Sequence, residues 1–116
     1  MSLRYILLLH RDVPKAASFF TEALGLKVSV MTEKWAELRS GDTTIALKAA
    51  DSEAYCSKGY SPILVFNVQD LQHSLTKMLS LGAVMDGAVQ YGADGSKVGS
   101  LFLLFLLKCP LSWDTV

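Results

Sequence analysis

The side chains that most often carry catalysis are few in this chain and widely separated. Its two histidines are His10, which ends an apolar run just before Asp12, and His73, which lies on the polar side of a predicted helix. We expect a solvated or capping role for His10, with a pocket base as the alternative, and an exposed position for His73. Cys56 has no neighbouring His or Asp in sequence that would activate its thiol. Ser-His-Asp spacing, glycine-rich phosphate loops and paired-cysteine motifs are absent.

Several other side chains are suited to holding an organic ligand. Lys48 ends an apolar strand pattern and either binds an anionic substrate, acts as a desolvated nucleophile, or reaches into solvent. Tyr5 shares its strand parity with Leu7, so its phenol either donates a hydrogen bond inside a pocket or fills the core. Trp35 either stacks on a planar ligand or packs, and Tyr91 is a loop aromatic without a firm register.

These residues lie on a chain that repeats one pattern. Arg4–Val28 and Ile63–Val84 each predict a buried strand, a capped amphipathic helix and a second strand. In each copy, an aspartate caps the first turn of the helix and a glycine ends its last turn. These residues are Asp12 and Gly25 in the first copy and Asp70 and Gly82 in the second. The apolar stripe of the second helix is Leu71, Leu75, Met78 and Leu79.

The remaining strands complete the two copies. Lys27–Met31 alternates as a half-buried strand, and Trp35–Leu47 predicts a hairpin around a polar turn. Residues 51–61 are rich in turn formers and predict a linker. We therefore predict one domain, 1–116, built of two repeats at about 3–50 and 62–108.

The most apolar segment of the chain is Leu101–Leu107. It is too short to span a bilayer, which takes about 20 residues. We predict one buried strand over Val98–Leu107, with a surface or dimer contact as the alternative use of the run. A second register places Val98–Phe102 on the penultimate strand and the last strand near Ser112–Val116.

The balance of charge and the cysteine content limit the partners. Eleven basic and eleven acidic side chains cancel in 116 residues, so we expect neither a nucleic-acid nor a membrane partner. Cys56 and Cys109 are isolated thiols in a chain without a secretory signal, which favours a cytoplasmic protein, with a disulfide left open.

Two β-α-β-β-β units in tandem resemble the glyoxalase/bleomycin resistance/extradiol dioxygenase superfamily, also called vicinal oxygen chelate proteins. The specific similarity is RDVPKAASFFTEALGLKV, with VQDLQHSLTKMLSLGA and WAELRSGDTTIAL as the second-helix and hairpin counterparts. The resemblance implies an α+β fold in which the tandem units form a curved mixed sheet with a concave pocket. It also implies a homodimer.

Metal-using members of this superfamily place His, Glu or Gln ligands at fixed strand positions of that pocket. The resemblance puts the first ligand of each repeat seven residues before the capping aspartate, where this chain has Tyr5 and Ile63. The hairpin ligand corresponds to Lys48, a cation that would repel a metal ion. The acid expected on the final strand is missing, unless the second register brings Asp114 there. We therefore expect a degenerate site with no catalytic metal and no cofactor.

Three functions follow from the resemblance. The leading hypothesis is a dimeric protein that binds a small organic molecule through Tyr5, Leu7, Trp35, Lys48, Ile63 and Tyr91. The second is a divalent-metal lyase or isomerase resembling glyoxalase I, or a dioxygenase-type enzyme. The third is a non-binding interaction module that exposes its apolar run or its edge strands.

Overall fold

The computed structural model describes residues 1–57, 64–85, 87–91, 97–102 and 108–113. The chain divides into two compact units, Met1–Ser57 and Lys58–Val116. Each unit has its own sheet and its own helix. The α+β class predicted from the sequence is therefore present in both halves.

The first unit is a four-stranded mixed sheet with one helix. Its elements are β1 (Ile6–His10), α1 (Val13–Leu24), β2 (Lys27–Met31), β3 (Trp35–Ser40) and β4 (Thr43–Ala49). The strand order is β1-β4-β3-β2, with β1 parallel to β4 and the other two pairs antiparallel. The strands, helix and hairpin predicted for the first copy are confirmed.

The helix of this unit begins and ends at the residues that the sequence indicated. The Asp12 carboxylate accepts a hydrogen bond from the Lys15 amide at 3.1 Å, and Pro14 occupies the first turn, where no amide partner is lost. Gly25 ends the helix at φ 70°, a left-handed conformation that glycine adopts without a Cβ clash. The helix contacts β2, β3 and β4. Its side of the sheet carries fully buried side chains, among them Leu8, Ala36, Leu38 and Leu47.

The segment after β4 packs against the outer edge of β1. The Ser57 amide donates to the Leu9 carbonyl at 2.9 Å, and the Leu9 amide donates to Ser57 Oγ at 3.0 Å. Cys56 beside it is buried. Residues 51–57 therefore belong to the first unit, although the sequence assigned them to a linker. The rest of that predicted linker, 58–61, lies outside the described residues.

The second unit repeats the order of the first with one more short strand. Its elements are β5 (Phe66–Asn67), α2 (Leu71–Ser80), β6 (Val84–Met85), β7 (Gln90–Tyr91), β8 (Lys97–Phe102) and β9 (Lys108–Trp113). The strand order is β5-β9-β8-β6, and β7 also pairs with β8. As in the first unit, the first strand is parallel to the last. The internal repetition read from the sequence therefore extends to the topology.

The second helix is capped as predicted but buries one residue fewer. Asp70 accepts from the His73 amide at 3.0 Å, and Gly82 follows the helix at φ 103°. Leu71, Leu75 and Met78 are buried, whereas Leu79 is 42% exposed. The prediction that Leu79 belongs to the buried stripe was wrong, because the residue lies at the margin of the helix face that the sheet covers.

The single long strand predicted over Val98–Leu107 was also wrong. β8 ends at Phe102 and pairs antiparallel with β9, which begins at Lys108. The alternative register, with the penultimate strand at Val98–Phe102, agrees with β8. It began the last strand near Ser112, whereas β9 begins at Lys108. Residues 103–107 and Asp114 lie outside the described residues, so what the sequence predicts for them stays a prediction.

Candidate functional site

One face of the first sheet collects most of the candidate residues. Cross-strand partners project to the same side of a sheet, and the side opposite the fully buried residues under α1 is here called the open face. It carries Tyr5, Leu7 and Leu9 from the β1 region, Trp35, Glu37 and Arg39 from β3, Ala46 and Lys48 from β4, and Lys27 and Val30 from β2. Four of the six sequence-predicted ligand residues thus share one surface.

An aromatic pair lies on the open face. The rings of Tyr5 and Trp35 meet edge to face, with their centroids 5.6 Å apart and an interplanar angle of 74°. Trp35 Nε1 donates a hydrogen bond to Glu37 Oε2 at 2.9 Å. Both rings are half-buried. Because the indole is held at its edge by Tyr5 and at its nitrogen by Glu37, its orientation is fixed while part of its surface stays accessible.

A cation stands directly beside this pair. Lys48 is the cross-strand partner of Trp35 on β4 and also aligns with Leu9 of β1. The lysine is exposed, and in the described part of the chain its ammonium makes no hydrogen bond or ion pair. The Arg4 guanidinium lies 5.9 Å from the centre of the Tyr5 ring, within cation–π range. The aromatic pair is therefore flanked by positive charge.

A polar cleft adjoins the same lysine. It has a volume of about 740 Å³. It lies at the C-terminal ends of β1 and β4, next to the turn that connects β2 to β3. Its charged lining residues are Arg11, Lys34, Lys48, Asp12, Glu33 and Asp51. Three cations and three carboxylates balance, so the cleft has no net charge. Lys48 belongs to both the cleft and the open face.

The histidine and cysteine candidates lie away from the open face. His10 is buried on the helix side of the sheet, where its Nδ1 accepts a hydrogen bond from the Asp12 amide at 2.9 Å. This bond supports the chain just before α1. Because His10 is buried, the solvated role expected for it was wrong. His73 is exposed on α2, as predicted. Cys56 is buried, with its sulfur 3.7 Å from the Ser52 carbonyl oxygen.

Comparison with known proteins identifies the architecture. The sequence model of the glyoxalase/bleomycin resistance protein/dioxygenase superfamily matches residues 2–99. The chain belongs to this superfamily. A comparison with curated proteins finds no matching sequence. Within the described residues, neither helix is long and apolar enough to cross a membrane.

Solved structures of the superfamily have the same fold. A glyoxalase/bleomycin resistance protein/dioxygenase family enzyme from Burkholderia phytofirmans PsJN superposes with a TM-score of 0.83 at 17% identity, over 97% of this chain and 98% of that one. The fosfomycin resistance protein FosX from Listeria monocytogenes gives 0.78 at 17% identity, over 100% and 95%. TioX from Micromonospora sp. ML1 gives 0.73 at 14% identity, over 97% and 98%. The predicted fold class is confirmed.

Two described residues do not fit the metal site that the resemblance implies. Tyr5 and Lys48 lie on the open face at positions where the resemblance implies metal ligands, and neither a phenol nor an ammonium is an ordinary ligand of a divalent ion there. Ile63, at a third position, lies outside the described residues. Among the residues that the structure describes, no group of three or more His, Cys, Asp or Glu side chains is placed to hold an ion.

The two remaining candidates, Leu7 and Tyr91, lie in different units. Leu7 is 42% exposed on the open face, where its neighbour on β4 is the buried Ala46. Tyr91 belongs to the second unit, where it is 73% exposed and the Lys97 ammonium lies 6.0 Å from its ring centre. The structure therefore brings Tyr5, Leu7, Trp35 and Lys48 together in the first unit.

Sequence reasoning missed the part played by Glu37. The alternation of β3 placed Glu37 on the same face as Trp35, and this spacing was the available signal. Whether the two side chains would bond to each other depends on their rotamers, which the sequence does not specify. Arg4 was missed because it precedes the strand and has no pattern of its own.

Proposed function

We propose that this superfamily member binds a small organic molecule on the open face of its first unit and does so without a metal ion. The observation that carries the proposal is the half-buried Tyr5–Trp35 pair, held by Glu37 and adjoining Lys48. The resemblance to metal-using members of the superfamily implies metal ligands at two of these positions, Tyr5 and Lys48. The scaffold thus keeps the position of the site while its chemistry changes from coordination to stacking and hydrogen bonding.

The physical support for this proposal is that the Tyr5–Trp35 pair is held in one orientation and is only half-buried. An indole held by a ring contact and a 2.9 Å hydrogen bond loses little conformational freedom when a ligand stacks on it. Leu7 adds exposed apolar surface on the same face. An aromatic contact contributes about 0.5–1.5 kcal/mol beyond the burial of its area. A planar or largely apolar molecule is the class of ligand that such a surface favours.

The similar structures agree with a small-molecule role but do not specify a ligand. FosX is a fosfomycin resistance protein, and its identity to this chain is 17%. At that distance only the fold is shared, so we transfer neither its substrate nor its reaction. The homodimer, the cytoplasmic location and the concave pocket stay predictions of the resemblance.

The proposal is tested by nuclear magnetic resonance with 2-naphthamide, a neutral planar probe. Titrated into the ¹⁵N-labelled protein, it should shift the backbone amides of Ala46, Leu47 and Lys48 and the Trp35 indole resonance. Trp35→Leu should weaken binding about tenfold, because it removes the stacking surface.

Trp113→Phe is the matched control, since it changes a tryptophan of the second unit and should leave the affinity unchanged. Amide shifts confined to residues away from the open face would contradict the proposal. So would equal affinity of the Trp35→Leu variant and the parent protein.

A further inference from the structure

The open face is positively charged although the whole chain is neutral. Lys27, Arg39 and Lys48 project from it and Glu37 is its acid, as the strand register requires. Arg4 adds a further cation beside Tyr5. The complete chain has eleven basic and eleven acidic side chains, so this excess is local. A surface with such an imbalance raises the local concentration of anions.

The charges of the open face differ in their availability. The Glu37 carboxylate already accepts the Trp35 indole N–H, and the Arg39 guanidinium donates to the Gly41 carbonyl at 3.3 Å. Lys48 has no such partner among the described residues. It is also the cation whose Cα is paired with Trp35. Directly opposed side chains in an antiparallel pair have Cβ atoms about 4.5–5.5 Å apart, so the side chains of Lys48 and Trp35 leave the sheet next to each other.

The neighbouring cleft does not explain a charge preference by itself. Its three cations, Arg11, Lys34 and Lys48, are matched by Asp12, Glu33 and Asp51. Selection between anion and cation must therefore come from the open face. The cleft supplies room beside Lys48 for the ligand's charged end.

We propose that the ligand of the open face is an aromatic organic anion, whose ring stacks on Trp35 and whose carboxylate pairs with Lys48. This inference rests on the proposed function and adds the chemical class of the ligand. Tyr5 and Leu7 border the ring, and Glu37 disfavours a second negative group on the opposite side of Trp35. A planar aryl monocarboxylate satisfies these charges better than a neutral or cationic analogue.

Three probes of the same ring test the charge separately from the stacking. We use 2-naphthoate, 2-naphthamide and 2-naphthylmethylammonium, with charges of minus one, zero and plus one. The naphthoate should bind about fivefold more tightly than the amide, a difference typical of one partly exposed ion pair, and the ammonium should bind most weakly. Added salt should reduce the preference and leave the amide unaffected.

Lys48→Gln should abolish the preference for naphthoate and leave the affinity for naphthamide within about twofold, because it removes only the charge. Lys15→Gln is the matched control, since it removes an equal charge from an exposed position of α1 and should preserve the preference.

The outcomes separate this inference from the proposed function. If naphthamide binds the open face and naphthoate binds no more tightly, the anion inference is overturned and the proposed function stands. A preference that persists in Lys48→Gln overturns the assignment to Lys48. If none of the three probes shifts the amides of the open face, both proposals fail.

Discussion

Glu37 is the residue on which the geometry of the aromatic pair depends. Its carboxylate fixes the Trp35 indole at 2.9 Å in a half-buried position, where water competes for the same hydrogen-bonding groups but less freely than at the surface. A single acid thus orients the main contact surface of the proposed site. The hydrogen bond also keeps the Glu37 carboxylate at the indole nitrogen of Trp35.

We predict that Glu37→Leu lowers the free energy of unfolding by about 1 kcal/mol, because the indole N–H loses its acceptor. Glu37→Gln keeps an acceptor oxygen and should cost less. Urea denaturation followed by circular dichroism measures both values. Glu33→Gln, at an exposed position in the turn before β3, is the control and should be neutral. Equal losses in Glu37→Gln and Glu37→Leu would show that the hydrogen bond is not what matters.

Strand parity predicted which residues of the site would meet, but not how. Tyr5 and Leu7 alternate with buried positions, and Trp35 and Glu37 do the same, so their shared faces could be read from the sequence. The alignment of Trp35 with Lys48 depends on the hairpin register, which the sequence analysis did not specify, because the structure pairs Ser40 with Thr43 and leaves only two residues in the turn. The edge-to-face ring contact and the indole hydrogen bond depend on rotamers, and no sequence pattern specifies these.

At the scale of the elements, the two helices have the same start signal. Asp12 and Asp70 each accept a hydrogen bond from the amide three residues later, at 3.1 and 3.0 Å. Elements bounded by such side-chain signals were predicted well. β8 and β9 were not, because Leu101–Leu107 contains no turn former that marks where the chain reverses. An uninterrupted apolar run therefore indicated a strand without indicating its end.

We predict that Asp12→Ala and Asp70→Ala each lower the free energy of unfolding by about 1 kcal/mol, since each leaves a first-turn amide without its acceptor. Asp12→Ser and Asp70→Ser should recover most of the loss, because a serine hydroxyl also caps. Thermal or urea unfolding compares the four variants. Serine variants no more stable than the alanine variants would contradict the capping role.

The second helix packs closely enough on its sheet to require a glycine. A Cβ atom built on Gly99 of β8 would lie 2.9 Å from Leu75 Cδ2, which is closer than real Cβ atoms approach. Both residues are buried, so there is little room for Leu75 to move. The helix–strand separation in the second unit therefore depends on a missing side chain.

We predict that Gly99→Ala destabilises the protein by about 1–3 kcal/mol through overpacking. In a Leu75→Val background, which removes both Cδ atoms, the same substitution should cost distinctly less. The double-mutant cycle is measured by urea denaturation, and its coupling energy reports the contact. Additive effects of the two substitutions would show that Gly99 and Leu75 do not constrain each other.

At the scale of the whole molecule, the superfamily scaffold and its usual site chemistry are separable. The fold matches solved relatives at TM-scores up to 0.83, while the identity is only 14–17% in the structures compared above. Caps, stops and apolar patterns can maintain such a scaffold without preserving any site residue. This is why the sequence predicted the fold class and left the ligand undetermined.

The last prediction concerns the whole protein's affinity for metal ions. Tyr5 and Lys48 lie on the open face where the resemblance implies metal ligands, and an ammonium there repels a divalent cation. Equilibrium dialysis against micromolar zinc, nickel and manganese should therefore give less than stoichiometric binding of each ion. Lys48→Glu together with Tyr5→His restores two ligand types and should increase zinc affinity over the parent. Stoichiometric binding by the unmodified protein would instead favour a metal-dependent lyase or isomerase, because the open face would then have to hold an ion despite its cations.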